Sequence, residues 1–183
     1  MEAATTARQT IASDVVALAA HGDEAAFTRI VGAHHADMLK VCVAVCGDTS
    51  VAEEAVQAAW ALAWRRLPSL RDADRLRPWL VSIAANQARD LLRKRRRQPV
   101  VELSVADLEQ GSGRGDPSSR SGDIDLRNAM AKLDPADRAL VALRYVAGLD
   151  STELSRALGL SPSGTRARLA RILERLRTEL GDA

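Results

Sequence analysis

The segment STELSRALGLSPSGTRARLARILERLR, residues 151 to 177, decides how the chain is read. Ser151 and Thr152 offer cap hydroxyls to a short helix that turns Leu154, Ala157 and Leu158 inward. Gly159 lets the chain turn and Leu160 plugs the corner, after which Ser161 and Pro162 open a second, longer helix. At about 100° per residue, this second helix collects Thr165, Leu169, Ile172 and Leu176 on one face. Arg168, Arg171 and Arg175 line one flank, Arg166 the other, and Ala167 with Ala170 stand opposite the core face. Small residues between basic flanks let such a helix lie close to base edges while guanidinium groups reach phosphates. Ser163, Thr165, Arg166, Ala167, Arg168, Ala170, Arg171 and Arg175 are therefore the candidate duplex contacts. A solvated amphipathic helix with ordinary surface arginines is the alternative, and the turn chemistry in front of the helix favours DNA.

Working outward, the composition agrees with helices. Apolar residues make up 46% of the 183, while aromatics are only 3%, so β-branched and aromatic strand formers are scarce. An all-α fold is expected. The net charge of +2 hides a patchy distribution: Arg93 to Arg97 are five consecutive cations, whereas Gln98 to Ile124 carry five carboxylates against two arginines. Two basic zones around an acidic spacer suit an anionic polymer touched at two places. The stretch GSGRGDPSSRSG, residues 111 to 122, has linker composition. The layout is an N-terminal helical bundle over 13–97, a flexible acidic linker over 98–123 and a C-terminal helix-turn-helix unit over 124–181, with residues 1–12 a loose end. No apolar run reaches the roughly 18 residues a membrane span needs, and the N-terminus lacks a signal-peptide layout, so a cytoplasmic protein without membrane insertion is expected.

The N-terminal half contributes a second unusual face. A helix from about Arg75 to Arg97 places Leu76, Leu80, Val81, Ile83, Ala84, Ala88, Leu91 and Leu92 together and turns Trp79, Ser82, Asn86, Arg89 and Arg93 the other way. An indole among arginines on a solvent face calls for something to stack on it, and an unpaired base contributes about 1–3 kcal/mol in that position. Two readings stay open for Trp79: a stacking platform, or a plug under the preceding loop. The helix before it, from about Val51 to Leu67, shows two apolar stripes, Val51-Ala55-Ala58-Leu62 and Val56-Trp60-Trp64-Leu67, with Glu53, Glu54 and Gln57 at the rim. Two stripes fit a core on one side and a protein partner on the other, or burial within a bundle.

These segments together resemble the extracytoplasmic-function (ECF) sigma factors of bacterial RNA polymerase. The residues that carry the resemblance are Ala52-Glu53-Glu54-Ala55-Val56-Gln57 with Trp60 and Trp64, then Trp79-Leu80, Ile83-Ala84-Ala85-Asn86, Asp90 and Arg93 to Arg97, and finally Leu133-Asp134-Pro135-Ala136-Asp137-Arg138 through Arg177. The resemblance implies that Glu53, Glu54, Gln57, Trp60 and Trp64 meet core RNA polymerase. It implies that Trp79, Ser82, Asn86, Arg89, Arg93 and the loop Pro68 to Asp74 hold the melted non-template strand of the −10 element, that the C-terminal unit reads the −35 duplex, and that the acidic tether threads the polymerase cleft. It also implies an anti-sigma partner. Gly164 and Thr165 stand where the family more often has threonine and a β-branched apolar residue, and Leu173 replaces a frequent arginine.

No catalysis, cofactor or metal is expected. His34, His35, Cys42 and Cys46 fall on or beside an apolar helix face without zinc spacing, and no phosphate loop or nucleophile arrangement is evident. With only two cysteines, one helical turn apart, a disulfide framework is not expected. The rival to the sigma-factor reading is a conventional helix-turn-helix regulator that binds duplex DNA without polymerase, and a more distant one is a helical interaction module.

Overall fold

The computed structural model describes residues 13–97 and 120–181; the expected loose end and most of the expected linker lie outside them. The fold is all-α, and the described residues contain no strand. Helix α1 (residues 13–20) leads into α2 (Glu24–Cys46), α3 (Thr49–Arg66) and α4 (Leu76–Arg97), with short 3₁₀ turns at Leu67–Ser69 and Ala73–Arg75. The C-terminal half holds α5 (Arg120–Ala131), α6 (Pro135–Val141), a π-helical turn (Ala142–Val146), α7 (Ser151–Leu158) and α8 (Pro162–Gly181).

Aspartates start the helices. Asp23 accepts from the Ala26 amide at 2.8 Å and Asp48 from the Val51 amide at 2.7 Å, each satisfying one of the amides that a helix N-terminus leaves without a partner. Gly47 stops α2 in the left-handed region at φ 75°, where a side chain would be strained. Helices α2, α3 and α4 pack on one another as a bundle. Its centre is Met38, Val41, Cys42 and Val45 from α2, Ala52, Ala55, Val56, Ala59 and Ala63 from α3, and Leu80, Val81, Ala84, Ala85 and Ala88 from α4. So many alanines bring the backbones close: the Cys42 thiol reaches the Ala84 carbonyl at 3.5 Å.

The buried stripe of α3 differs from the expected pair. Ala52, Ala59 and Ala63 are buried, whereas Ala58 is exposed and Val51 and Leu62 are only half-buried. Alanine looks apolar at every rotation of the helix, so a pattern rich in it does not fix which side faces inward. Trp60 and Trp64 instead flank Phe27 of α2, edge-on at 5.7 Å and 4.7 Å between ring centroids.

Two expectations for the C-terminal half change. Helix α5 begins at Arg120, ahead of Ile124, because its first turn carries the Ser and Gly that read as linker composition. Helix α7 is capped by Asp150 and not by Ser151 or Thr152: the carboxylate accepts from the Thr152 and Glu153 amides at 2.7 and 2.8 Å, and Glu153 accepts from the Asp150 amide at 2.8 Å. This reciprocal box fixes the entry to the helix-turn-helix. Gly159 at φ 65° makes the turn, and Ser161 accepts from the Gly164 amide at 3.1 Å to open α8.

The halves do not stand apart. Helix α6 lies against α2 and α4, α7 lies against α4, and buried residues of both halves form one hydrophobic cluster. Arg77 of α4 ties the seam, donating from Nε to Asp37 at 2.7 Å and from Nη1 to the Ala147 carbonyl at 2.8 Å. Arg138 is only 7% exposed, and its Nε is buried without a hydrogen-bond partner, a defect that costs about 1–3 kcal/mol. Burial, followed by the nearby charge of Arg96, lowers its pKa from the ordinary arginine value.

The capping box gives the first prediction. Asp150→Ala should lower stability by about 1 kcal/mol, and by no more than about 2 kcal/mol, read as a shifted urea midpoint at constant slope. An unchanged midpoint would show that the box is not what starts α7.

Candidate nucleic-acid interface

Helix α8 turns its outer side to solvent as its periodicity requires. Thr165, Ile172 and Leu176 are buried and Leu169 is half-buried. Ser163, Arg166, Ala167, Ala170, Arg171 and Arg175 are all exposed, so six of the candidate duplex contacts share an open surface. Thr165 does not join them. It is 1% exposed and serves the turn, donating to the Ser161 carbonyl at 2.9 Å and lying 3.2 Å from the Ser155 hydroxyl of α7. This hydroxyl pair pins the two helices of the motif together inside an otherwise apolar contact.

Arg168 is also different from its neighbours. Its Nε donates to Asp137 of α6 at 2.6 Å and its Nη2 lies 3.7 Å from Asp134. Arg175 approaches the other oxygen of Asp137 at 3.8 Å. The Asp137 side chain is 9% exposed, so this carboxylate is a largely buried anchor for two of the arginines. Burial opposes ionisation of Asp134, but amide hydrogen bonds from Asp137 and Ala136, with Arg168 nearby, outweigh it and hold that carboxyl below its usual range. Asp137, Arg168, Arg171, Ile172 and Arg175 line a cleft of about 360 Å³ beside α8. The sequence reading placed the arginines and missed the aspartate. Its trace was there in Asp134 and Asp137, three residues apart ahead of a basic helix.

The face of α4 is less open than expected. Only Arg93 among the five candidates is exposed; Trp79, Ser82, Asn86 and Arg89 are half-buried. The cover is α7 of the C-terminal half. Asn86 donates from Nδ2 to the Ala157 carbonyl at 3.3 Å, and Trp79, Ser82 and Asn86 share a cleft of about 340 Å³ with Arg66, Arg75, Glu153 and Arg156. Trp79 is thus neither a free platform nor a sealed plug, but one wall of a partly open cleft. Ser82 bonds its own helix, donating to the Pro78 carbonyl at 2.6 Å. Arg89 lies 3.5 Å from Asp90, and its Nε is buried without a hydrogen-bond partner. A projection of α4 alone has no way to show a cover supplied from about 70 residues downstream.

On α3, Glu53, Glu54 and Gln57 are exposed, with Glu54 paired to Arg95 at 2.7 Å. Trp60 and Trp64 are half-buried beside Phe27, and the Trp60 Nε1–H donates to His35 Nδ1 at 3.3 Å. Glu54, Ala58, Gln87, Asp90 and Lys94 border a shallow groove of about 210 Å³ between α3 and α4. His34 is half-buried, and burial lowers its pKa despite Asp37. Among the described residues no three His, Cys, Asp or Glu side chains converge as a metal site would require, and no helix is long and apolar enough to cross a membrane.

Family models match two parts of the chain, Sigma-70 region 2 over residues 30–98 and Sigma-70 region 4 over residues 123–176. The RNA polymerase sigma factor CarQ of Myxococcus xanthus is 30% identical over 161 residues, covering 88% of this chain and 92% of CarQ. A longer relative, 31% identical, is spanned over 42% of its own length. Two solved structures share the fold. CnrH in complex with the cytosolic domain of CnrY has TM-score 0.67 at 24% identity, covering 92% of this chain and 96% of that one; CnrH is a sigma factor of Cupriavidus metallidurans. RpoE of Bartonella quintana in complex with the anti-sigma factor NepR has TM-score 0.64 at 21% identity, covering 85% and 96%. With regions 2 and 4 in that order and ECF factors among its other relatives, the chain belongs to the ECF group of RNA polymerase sigma factors.

Proposed function

We propose that the chain binds core RNA polymerase, directs it to promoters with a −10 and a −35 element, and helps separate the strands, without catalysis or a cofactor of its own. The observation that carries this reading is the exposed side of α8, where Arg166, Arg171 and Arg175 flank Ala167 and Ala170 behind a pinned helix-turn-helix. Small residues admit the helix to the major groove, and the arginines meet phosphates on either side. Asp137 holds Arg168 back from solvent, so Arg166 and Arg171 are the freer phosphate ligands.

The remaining surfaces fill the other roles. Glu53, Glu54 and Gln57, with the groove toward Lys94, offer a mixed-charge helical surface to a polymerase element; Trp60 and Trp64 act from behind as the aromatic support of α3. Trp79, Ser82, Asn86, Arg89 and Arg93 serve the unpaired −10 strand by stacking, amide hydrogen bonds and phosphate contact. The site of action is the cytoplasm, where polymerase and DNA are. An anti-sigma protein is the natural restraining partner, as NepR is named for RpoE. The decisive experiment is run-off transcription from the factor's own target promoter with purified core enzyme. Failure of the chain to bind core in a pull-down would end the proposal, and tight duplex binding by the free chain would favour a conventional regulator.

Two substitutions separate the surfaces. Arg171→Ala should weaken binding to −35 duplex and reduce the slope of log K against log salt by about 0.9 for one lost phosphate contact; an unchanged slope would remove Arg171 from the interface. Trp79→Ala should retain core binding but slow strand opening, losing roughly 1–3 kcal/mol of base stacking. Permanganate footprinting of the melted region reads this directly, and normal reactivity would reassign the indole to the fold.

A further inference from the structure

The contact between the halves falls on the same face that the promoter reading assigns to the unpaired strand. Asn86 spends an amide hydrogen on the Ala157 carbonyl, and the last turn of α7 forms the far wall of the cleft that holds Trp79 and Ser82. A base has no route onto the indole from that side while α7 stays in place. The seam is also imperfectly made. It leaves about 340 Å³ unfilled between Trp79 and α7, and its direct polar ties across α4 and α7 rest on an amide at 3.3 Å. On the other side it buries Arg138 among Cys46, Arg96 and Asp134 with an Nε that has no partner. An interface that buries apolar surface yet carries such a defect is stable enough to form and weak enough to exchange for a better partner.

Building on the promoter reading, we propose that in the free chain the C-terminal unit is an internal cover, with α7 docked over the strand-reading face of α4 through Asn86 and Ala157, and that this cover must lift before the face can take a strand. The intervening 22 residues, 98–119, have a contour length of roughly 75 Å at full extension, ample for the C-terminal unit to travel without unfolding either half. Lifting the cover uncovers Trp79, Ser82 and Asn86 and relieves the buried Arg138 together, so the two events are one transition.

The test reads accessibility of the covered face in the full chain, with no DNA or polymerase present. Ser82→Cys places a thiol in the cleft. The native thiols do not compete: burial pushes Cys42 up to about 12 and Cys46 up to about 11, leaving little reactive thiolate in either. A maleimide should modify the introduced thiol slowly compared with one at exposed Ala58→Cys. Adding Ala157→Arg sets a fourth guanidinium against Arg66, Arg75 and Arg156 and should speed modification roughly tenfold by shifting the balance toward the lifted state. Adding Arg138→Met removes the unpartnered cation and should slow modification below that of Ser82→Cys alone. A rate untouched by Ala157→Arg overturns the proposal. Should that variant fail to fold by circular dichroism, Arg138→Met decides alone, and absence of slowing overturns it. Failure of the promoter reading would appear elsewhere, as loss of core binding with these thiol rates unchanged.

Discussion

The close approach of three helix backbones is the constraint on which everything else rests. Ala52, Ala55, Ala59 and Ala63 on α3 and Ala84, Ala85 and Ala88 on α4 are all buried, and they leave room for little more than a thiol between α2 and α4. Small side chains contribute modest hydrophobic free energy each, but they lose no rotamer freedom and let dispersion contacts run along whole helix faces. The same approach fixes the rotation of α4, and rotation decides function here. With its alanines locked inward, α4 must turn Trp79, Ser82, Asn86 and Arg89 away from the bundle, toward whatever covers them.

What covers them in this arrangement is the other half of the chain. The seam is built from parts with different tolerances. Arg77 is doubly tied, to Asp37 and to the Ala147 carbonyl, while Arg138 is buried with one of its donors idle. The C-terminal unit meanwhile organises its own cation field from within. Asp137 gathers Arg168 and Arg175, so α8 shows a graded set of arginines, some braced and some free. A braced guanidinium loses less entropy on meeting a phosphate but has a competing carboxylate to leave; a free one is the reverse. The outer face of α8 therefore combines both kinds within two turns.

Much of the fold was legible in the sequence because caps and periodicity are local. Asp23, Gly47, Gly159 and Pro162 stand where helices start or stop, and the apolar spacing of α8 gives its buried face directly. Three things were not legible, each for a physical reason. The orientation of α3 hides behind alanine, which carries no directional signal. The cap of α7 lies one residue ahead of the hydroxyls that drew attention, since a carboxylate outcompetes them for the free amides. The cover over Trp79 depends on pairing residues 71 apart in sequence, Asn86 with Ala157, and no local pattern encodes that. Of the candidate sites, the exposed arginines of α8 and the acidic rim of α3 could be read from periodicity, whereas Asp137, whose role is to hold Arg168, could not.

The two sulfur atoms have a consequence for signalling. Both sit in the α2 core, and burial keeps them protonated, with values of about 12 for Cys42 and 11 for Cys46. At neutral pH only about one part in ten thousand or fewer of either is thiolate, the form that peroxide attacks. The chain thus has no oxidant-sensitive trigger of its own: any news of oxidative stress has to reach it through another molecule.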